Sequence, residues 1–246
     1  MRAGIVSRVS EHERFLRGFH AAHPGITARA MERGGSYDRL AARATGRVLD
    51  LACGDGPLLR RLPATAIGID VSREELGATP CVVQGRAQQL PFTGGVFDTV
   101  TCHLAFMLFD DLPAVVREID RVLAPDGMFI ALLGGGPIAT PSADDAFDRF
   151  LTALRPHVAA PRRLGDPRAR SEAGWRELFA GWSAPHFERW ELDLGGTFDE
   201  VWTFLGASYE LTPEAAIAIH DELAAHYAPD ARVPCSVVTW CASIRR

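Results

Sequence analysis

Lysine is absent from this 246-residue chain, and all 26 of its basic residues are arginine. The absence excludes mechanisms that need a lysine amine, such as Schiff-base chemistry, and phosphate loops that depend on a lysine. Long apolar runs are also missing, because no stretch approaches the roughly 20 residues needed to cross a bilayer. The arginine-rich start has no apolar stretch behind it. We therefore expect a soluble, cytoplasmic protein that has no membrane partner.

An excess of positive charge is lacking as well. The 26 basic residues face 31 acidic ones, for a net charge of −5, so a nucleic-acid partner is not expected. The five cysteines lack the close pairing typical of zinc ribbons and redox centres. We expect no metal site and read the cysteines as small buried residues in a reducing compartment. Nothing in the sequence indicates an oligomeric state.

Strand-like and helix-like segments alternate in the first half of the chain. An amphipathic helix is predicted over LPAVVREIDRVL, because its apolar residues recur at helical spacing. Alternation of strands with helices predicts a parallel sheet with right-handed crossovers. The apolar runs of strand length are Arg47–Ala52, Ala66–Asp70, Cys81–Gln84, Phe97–His103 and Gly127–Leu133.

The rhythm changes beyond the fifth run. Residues 137–183 are rich in Arg, Pro and Gly and contain helical stretches, so they are predicted to be an inserted helical cap. Strands are again predicted at 186–194 and 235–244, with helical material between them. Residues 1–45 are predicted to form a helical lid. The core is therefore assigned to residues 46–136 and 184–246.

The most informative motif is DLACGDG, residues 50–56, at the exit of the first strand. Its glycines let the backbone approach a ligand, and a helix is predicted over the following PLLRRL. Asp70 ends the second strand about 20 residues further on, where a carboxylate can accept hydrogen bonds from both hydroxyls of a ribose. The pattern indicates an adenosine site. Leu59 stands where a nicotinamide-binding motif requires its third glycine, which disfavours that alternative.

Several segments, taken in order, resemble a known family. RVLDLACGDGPLLRRL, IGIDVS, VVQGRAQQLPFTGGVFDTVTCHLAFMLFDD and REIDRVLAPDGMFIALL are similar to successive signature segments of class I S-adenosylmethionine-dependent methyltransferases of the small-molecule type. The resemblance implies an α/β, Rossmann-like sheet of seven strands, mostly parallel with an antiparallel last strand, and helices on both faces. It also implies S-adenosyl-L-methionine as the cofactor.

Site residues follow from the same resemblance. Ala52 departs from a common glycine, and Arg86 stands where an aspartate is frequent, so Gln88 or a backbone carbonyl must accept from the adenine amino group. Val71 is expected to pack on adenine. The residues implied to bind cofactor are Asp50, Ala52, Cys53, Gly54, Gly56, Asp70, Val71, Arg86, Ala87, Gln88 and His103.

His103 has two interpretations. It could be a general base, since an imidazole titrates near neutral pH. We favour the second interpretation, in which it shapes the cofactor site, because methyl transfer depends chiefly on in-line positioning. Substrate contacts are predicted for His20, His23, Tyr37, Met107 and Trp202, with Trp175, Trp182, Phe198 and Tyr209 as further aromatic candidates.

The sequence thus predicts a methyltransferase that acts on an oxygen or nitrogen of a small, flat acceptor of heteroaromatic or natural-product type in secondary metabolism. Two alternatives stay open at this point. One is a nicotinamide-dependent reductase, although a chain without lysine lacks the usual Tyr-x-x-x-Lys pair. The other is a non-catalytic subunit that keeps the fold and binds the cofactor.

Overall fold

The structure is a computed structural model that describes residues 14, 18–19, 21–137, 144–157, 165–209 and 211–246. Seven strands of these residues form one sheet in the order β3-β2-β1-β4-β5-β7-β6. Each strand overlaps a segment that the sequence predicts to be a strand. The strands are β1 (Val48–Leu51), β2 (Ile67–Asp70), β3 (Val82–Gln84), β4 (Phe97–His103), β5 (Leu123–Pro137), β6 (His186–Asp193) and β7 (Ser236–Arg245).

Strands β1 to β5 pair in parallel, as the alternation of strands and helices predicts. The central strand β1 is buried along its whole length, and its apolar residues Val48, Leu49 and Leu51 belong to the hydrophobic clusters on the two faces of the sheet. In register, Asp50 lies opposite Gly68 of β2 and Thr101 of β4. The strand order changes direction between β1 and β4. Ligands of open α/β sheets bind beside such a point, outside the carboxyl ends of the strands.

The last strand runs against its neighbours. β7 lies between β5 and β6 and pairs antiparallel with both. The ladder between β5 and β7 shifts register between Gly134 and Gly136. These pairings confirm the predicted mostly parallel, seven-stranded sheet with an antiparallel last strand.

Helices cover both faces of the sheet. On one face, the helix Leu112–Val122 buries Val115 and Ile119 in a cluster that includes Phe129 and Trp175. On the other face, a second cluster contains Leu40, Leu58, Phe150, Trp190, Leu205 and Ile219. None of the helices in the described residues is long and apolar enough to span a membrane. The helices are α1 (Ile26–Arg33), α2 (Ser36–Ala41), α3 (Arg73–Leu76), α4 (Leu112–Val122), α5 (Ala146–Leu154), α6 (Glu172–Leu178), α7 (Phe198–Ala207) and α8 (Pro213–Ala224).

The prediction of a helix after the first strand is wrong. The segment forms a single turn of 3₁₀ helix, Leu59–Arg61, and Leu62 is already extended. Pro63 explains this end, because a proline disfavours the helical conformation of the residue before it. Cys81 also departs from the prediction, because it is exposed while the other cysteines are buried.

The predicted lid and cap take part in the core. Within residues 1–45, Tyr37 and Leu40 belong to the cluster on one face of the sheet. Within residues 137–183, Phe150 joins that same cluster and Trp175 joins the opposite one. Both segments therefore contribute to stability in addition to any role at the site.

Candidate functional site

A cavity of about 970 Å³ opens at the carboxyl ends of β1, β2 and β4. Its volume lies at the upper end of the range of roughly 300–1,000 Å³ that is usual for small-molecule sites. The walls fall into two parts. The acidic half consists of the end of β1 with the turn after it (residues 50–55), residues 69–72, Glu75 and residues 85–88. The apolar half is built from α1, α5, α7, β7 and the segment that follows β4.

The turn after β1 approaches the cavity with its backbone. Ala52 and Gly54 both have positive φ, at 60° and 53°. A side chain built on Gly54 meets no atom closer than the Glu75 carboxylate at 3.7 Å, so this glycine keeps the space beside it open. Its N–H donates to Oδ2 of Asp70 over 3.0 Å. The turn and the end of β2 are thereby fixed to each other.

Asp70 sits at the end of β2 with both carboxylate oxygens engaged. Oδ2 accepts from Gly54, and Oδ1 accepts from the Ser72 N–H over 2.9 Å. A carboxylate oxygen has two lone pairs, so each oxygen can accept one further bond. The carboxylate is therefore oriented in advance and is still able to bind a pair of neighbouring hydroxyls.

Asp50 lies deeper, at the end of β1, and is almost fully buried. Burial raises its pKa to about 7, while a hydrogen bond from the Thr101 hydroxyl at 3.1 Å acts in the opposite direction and the charge of Asp70 raises the pKa further. A buried carboxyl that titrates near neutral pH responds strongly to any charge placed beside it.

Glu75 adds to the negative charge of the acidic half. Burial raises its pKa first, and the nearby charges of Asp55, Asp70 and Glu74 raise it further. Like charges held together in this way stabilise a cation that comes to lie among them. The acidic half is therefore suited to a ligand that carries positive charge as well as hydroxyl groups.

His103 ends β4 and is held by α2. Its Nε2 lies 2.9 Å from the hydroxyl of Ser36, and its ring stacks on Tyr37 with the ring centroids 4.1 Å apart. Burial lowers the pKa of His103 to about 3. The imidazole is therefore neutral at physiological pH, and Ser36 and Tyr37 fix the plane of its ring. Tyr37 itself is buried, and burial raises the pKa of its phenol.

The next residue, Leu104, carries backbone strain. Its φ is 55°, which is rare for a branched side chain, and its N–H is bonded to the Leu132 carbonyl over 2.8 Å. Residues held in such conformations are concentrated at functional sites. Leu104 lines the cavity directly beside His103.

The apolar half of the cavity draws on segments far apart in the sequence. Most of its side chains are aromatic or aliphatic, and a few polar groups stand among them. This composition is typical of a pocket for a small organic molecule. Its apolar members include Phe19, Ile26, Met31, Met107, Phe109, Phe147, Phe204 and Val237, and its polar ones Thr27, His157, Arg170, Ser208, Tyr209 and Thr239.

Most of the residues predicted to bind cofactor line this cavity. Gly56 does not: its φ is 78°, and a Cβ there would lie 2.6 Å from Thr79, so this glycine serves the turn. Those that line the cavity are Asp50, Ala52, Cys53, Gly54, Asp70, Val71, Arg86, Ala87, Gln88 and His103.

The predicted substrate residues divide. Tyr37 and Met107 line the cavity. His23 and Trp202 are not part of the wall. His23 is exposed and packs near Phe19. Trp202 lies between Phe150 and His220. His20 lies outside the described residues. Of the further aromatic candidates Tyr209 lines the cavity, whereas Trp175, Trp182 and Phe198 do not.

Sequence reasoning missed several lining or supporting residues. Ser36 belongs to no motif, and Leu104 falls within a signature segment but was given no role there. The contact of Ser36 with His103 and the positive φ of Leu104 reveal them only in the structure. Glu75 follows Ser72, which caps α3 through its side chain, so a serine followed by acidic residues after Asp70 was an available signal.

Comparison with known proteins finds methyltransferases by family, by sequence and by structure. The family described as "Methyltransferase domain" matches residues 49–131. The uncharacterized methyltransferase YcgJ of Bacillus subtilis is 30% identical over 183 residues, covering 63% of this chain and 67% of YcgJ. The crystal structure of YcgJ superposes with a TM-score of 0.51 at 19% identity, covering 89% of this chain and 98% of that one.

A second relative is named as an O-methyltransferase of nocamycin. The nocamycin O-methyltransferase of Saccharothrix syringae is 35% identical over 137 residues, which cover 48% of this chain and 43% of that enzyme. The chain thus spans about two thirds of YcgJ but less than half of the nocamycin enzyme.

Proposed function

Because the chain belongs to the class I S-adenosylmethionine-dependent methyltransferases, we propose that it methylates an oxygen or nitrogen of a small acceptor held in the apolar half of the cavity. One observation carries the proposal: a single cavity joins an acidic half, suited to a cationic nucleoside, to an apolar half suited to a small organic molecule. The name of the nocamycin O-methyltransferase supports oxygen as the accepting atom.

The residues of the acidic half fit S-adenosylmethionine. Asp70 has a free lone pair on each oxygen for the ribose hydroxyls. Gly54 leaves open the space that a side chain would occupy, and Asp50 lies where it can face a cationic group. Val71, Ala87 and Gln88 would surround the adenine. Arg86 only donates, so Gln88 or a backbone carbonyl would accept from the adenine amino group.

When bound, S-adenosylmethionine supplies a methyl group made electrophilic by its sulfonium. The chain has to hold the acceptor in line with that group and exclude water. With its pKa near 3, neutral His103 cannot serve as an acid and is a weak base at neutral pH. We assign it the task of shaping the site, with its ring plane set by Ser36 and Tyr37. The proton of the acceptor then passes to a base other than His103.

The N-terminal helices are proposed to close the cavity. Ile26, Thr27 and Met31 of α1 and Tyr37 of α2 contribute to its wall. The sheet offers no wall on this side, so an acceptor has to be enclosed by segments outside the parallel core. This arrangement supports the lid predicted within residues 1–45.

Two measurements test the proposal. Calorimetry should show binding of S-adenosylhomocysteine and none of NADH. Turnover should then be assayed with S-adenosylmethionine and a panel of phenols, heteroaromatic amines and carboxylic acids. Binding of S-adenosylhomocysteine without methyl transfer to any of them would favour the non-catalytic alternative, and preference for NADH would overturn the proposal.

A further inference from the structure

Arg170 lines the cavity and is not part of the segments that form its acidic half. It is the last residue of a 3₁₀ turn, Pro167–Arg170, that packs beside the segment following β4. The approach is close, because a Cβ on Gly165 would lie 2.1 Å from the carbonyl oxygen of Met107. The sequence predicted a cap in this region but assigned no role to any of its arginines.

The backbone that carries Arg170 is well fixed. The carbonyl of Ala169 accepts from the buried indole N–H of Trp175 over 2.8 Å. Ser171, on the other side, caps α6 by accepting from the Gly174 N–H over 3.1 Å. A side chain anchored between two such residues starts from a defined position, which lowers the entropy cost of ordering it on a ligand.

Arg170 makes no hydrogen bond or ion pair with any residue that the structure describes. Its neighbour Arg168 differs sharply, since it bonds to both Asp166 and Glu177. Partial burial lowers the pKa of Arg170, and no carboxylate offsets that effect. Arg170 is nevertheless exposed on the cavity wall. Its hydrated guanidinium therefore has donors that an anion in the cavity can reach.

We propose that Arg170 binds an anionic group of the methyl acceptor, either a carboxylate or a phosphate ester. The proposal rests on the proposed function and adds the charge of the substrate to it. The guanidinium offers a planar fork of donors that matches the paired oxygens of either group. Asp50, Asp70 and Glu75 then favour a cationic cofactor and Arg170 an anionic acceptor, in a cavity whose lining also includes the exposed carboxylate of Asp110. Aromatic residues such as Phe147 and Phe204 would contact the apolar body of that acceptor.

The test compares three small probes of similar shape on the full chain saturated with S-adenosylhomocysteine: benzoate, phenyl phosphate and neutral benzamide. Calorimetry should show at least about tenfold tighter binding of one or both anions than of benzamide. The stronger of the two anions identifies whether a carboxylate or a phosphate ester is recognised. Equal affinity of all three probes, or no binding of either anion, would overturn the proposal.

Two variants and one control complete the experiment. Arg170→Gln should abolish the preference for anions, and Arg170→Lys should retain part of it, because the charge is kept while the fork is lost. Arg176→Gln removes the same charge from an exposed pair with Glu172 and should change nothing. An anion preference that survives in folded Arg170→Gln would refute the assignment. Failure of S-adenosylhomocysteine to bind the wild type would instead contradict the proposed function.

Discussion

Replacement of Asp70 by alanine is the most direct test of the cofactor site. Each ribose hydroxyl that donates to a carboxylate contributes about 1.5–3 kcal/mol. Loss of both hydrogen bonds should weaken binding of S-adenosylhomocysteine by about 3–6 kcal/mol, which is roughly 10²–10⁴ in Kd. The affinity is measured by calorimetry at a temperature where the variant is folded.

The structure predicts a second effect of the same change. Asp70 also accepts from the N–H groups of Gly54 and Ser72, so the variant should unfold at a lower temperature. Each of these bonds contributes about 1 kcal/mol. Asp98→Ala provides the matched control, because this carboxylate also accepts from a backbone N–H, that of Arg47, over 2.7 Å. Asp98 lies near the amino end of β4, whereas the cavity opens at the carboxyl end of that strand.

The two variants separate stability from binding. Asp98→Ala should be less stable than the wild type and bind S-adenosylhomocysteine with unchanged affinity. Asp70→Ala should lose both stability and affinity. If folded Asp70→Ala binds with wild-type affinity, the assignment of Asp70 to the ribose is refuted.

Three further predictions concern the same turn. Because the pKa of Asp50 is raised to about 7, its carboxylate is present only above that pH, so the affinity for S-adenosylhomocysteine should rise from about pH 6 to about pH 8. Calorimetric titrations of Asp50→Asn should show an affinity that does not change between about pH 6 and about pH 8. If the affinity of this variant rises with pH as it does in the wild type, Asp50 is not the source of the pH dependence. Ala52→Gly relieves a φ of 60° and should raise the free energy of unfolding in urea by up to about 1 kcal/mol, whereas a decrease would contradict the strain. Gly54→Val should fold yet lose cofactor binding, and normal affinity in that variant would show that the turn does not face the ligand.

The sequence predicts the parallel half of the fold and the acidic half of the cavity because both are encoded locally. The bounds of β4 match the prediction, and Asp70 lies where its spacing from Asp50 places it. The prediction from local pattern is wrong after β1, where the amphipathic PLLRRL indicates a helix but Pro63 prevents the helix from continuing.

The apolar half could not be predicted in the same way. Phe147, Phe204 and Val237 meet there only because α5, α7 and β7 converge in three dimensions, and no spacing in the sequence records that meeting. Trp202 illustrates the difficulty, since its neighbour two positions on, Phe204, lines the cavity while Trp202 packs between helices. The side of a helix that faces a ligand is decided by tertiary packing.

The position of β7 between β5 and β6 constrains the order in which the molecule can form during synthesis. The parallel strands can pair as they leave the ribosome, but β6 has no neighbour until the residues of β7 have been made. Until then the edge of β5 and the whole of β6 present unpaired backbone groups to other nascent chains. Slower translation between residues 194 and 235 would prolong this exposure and lower the yield of folded protein.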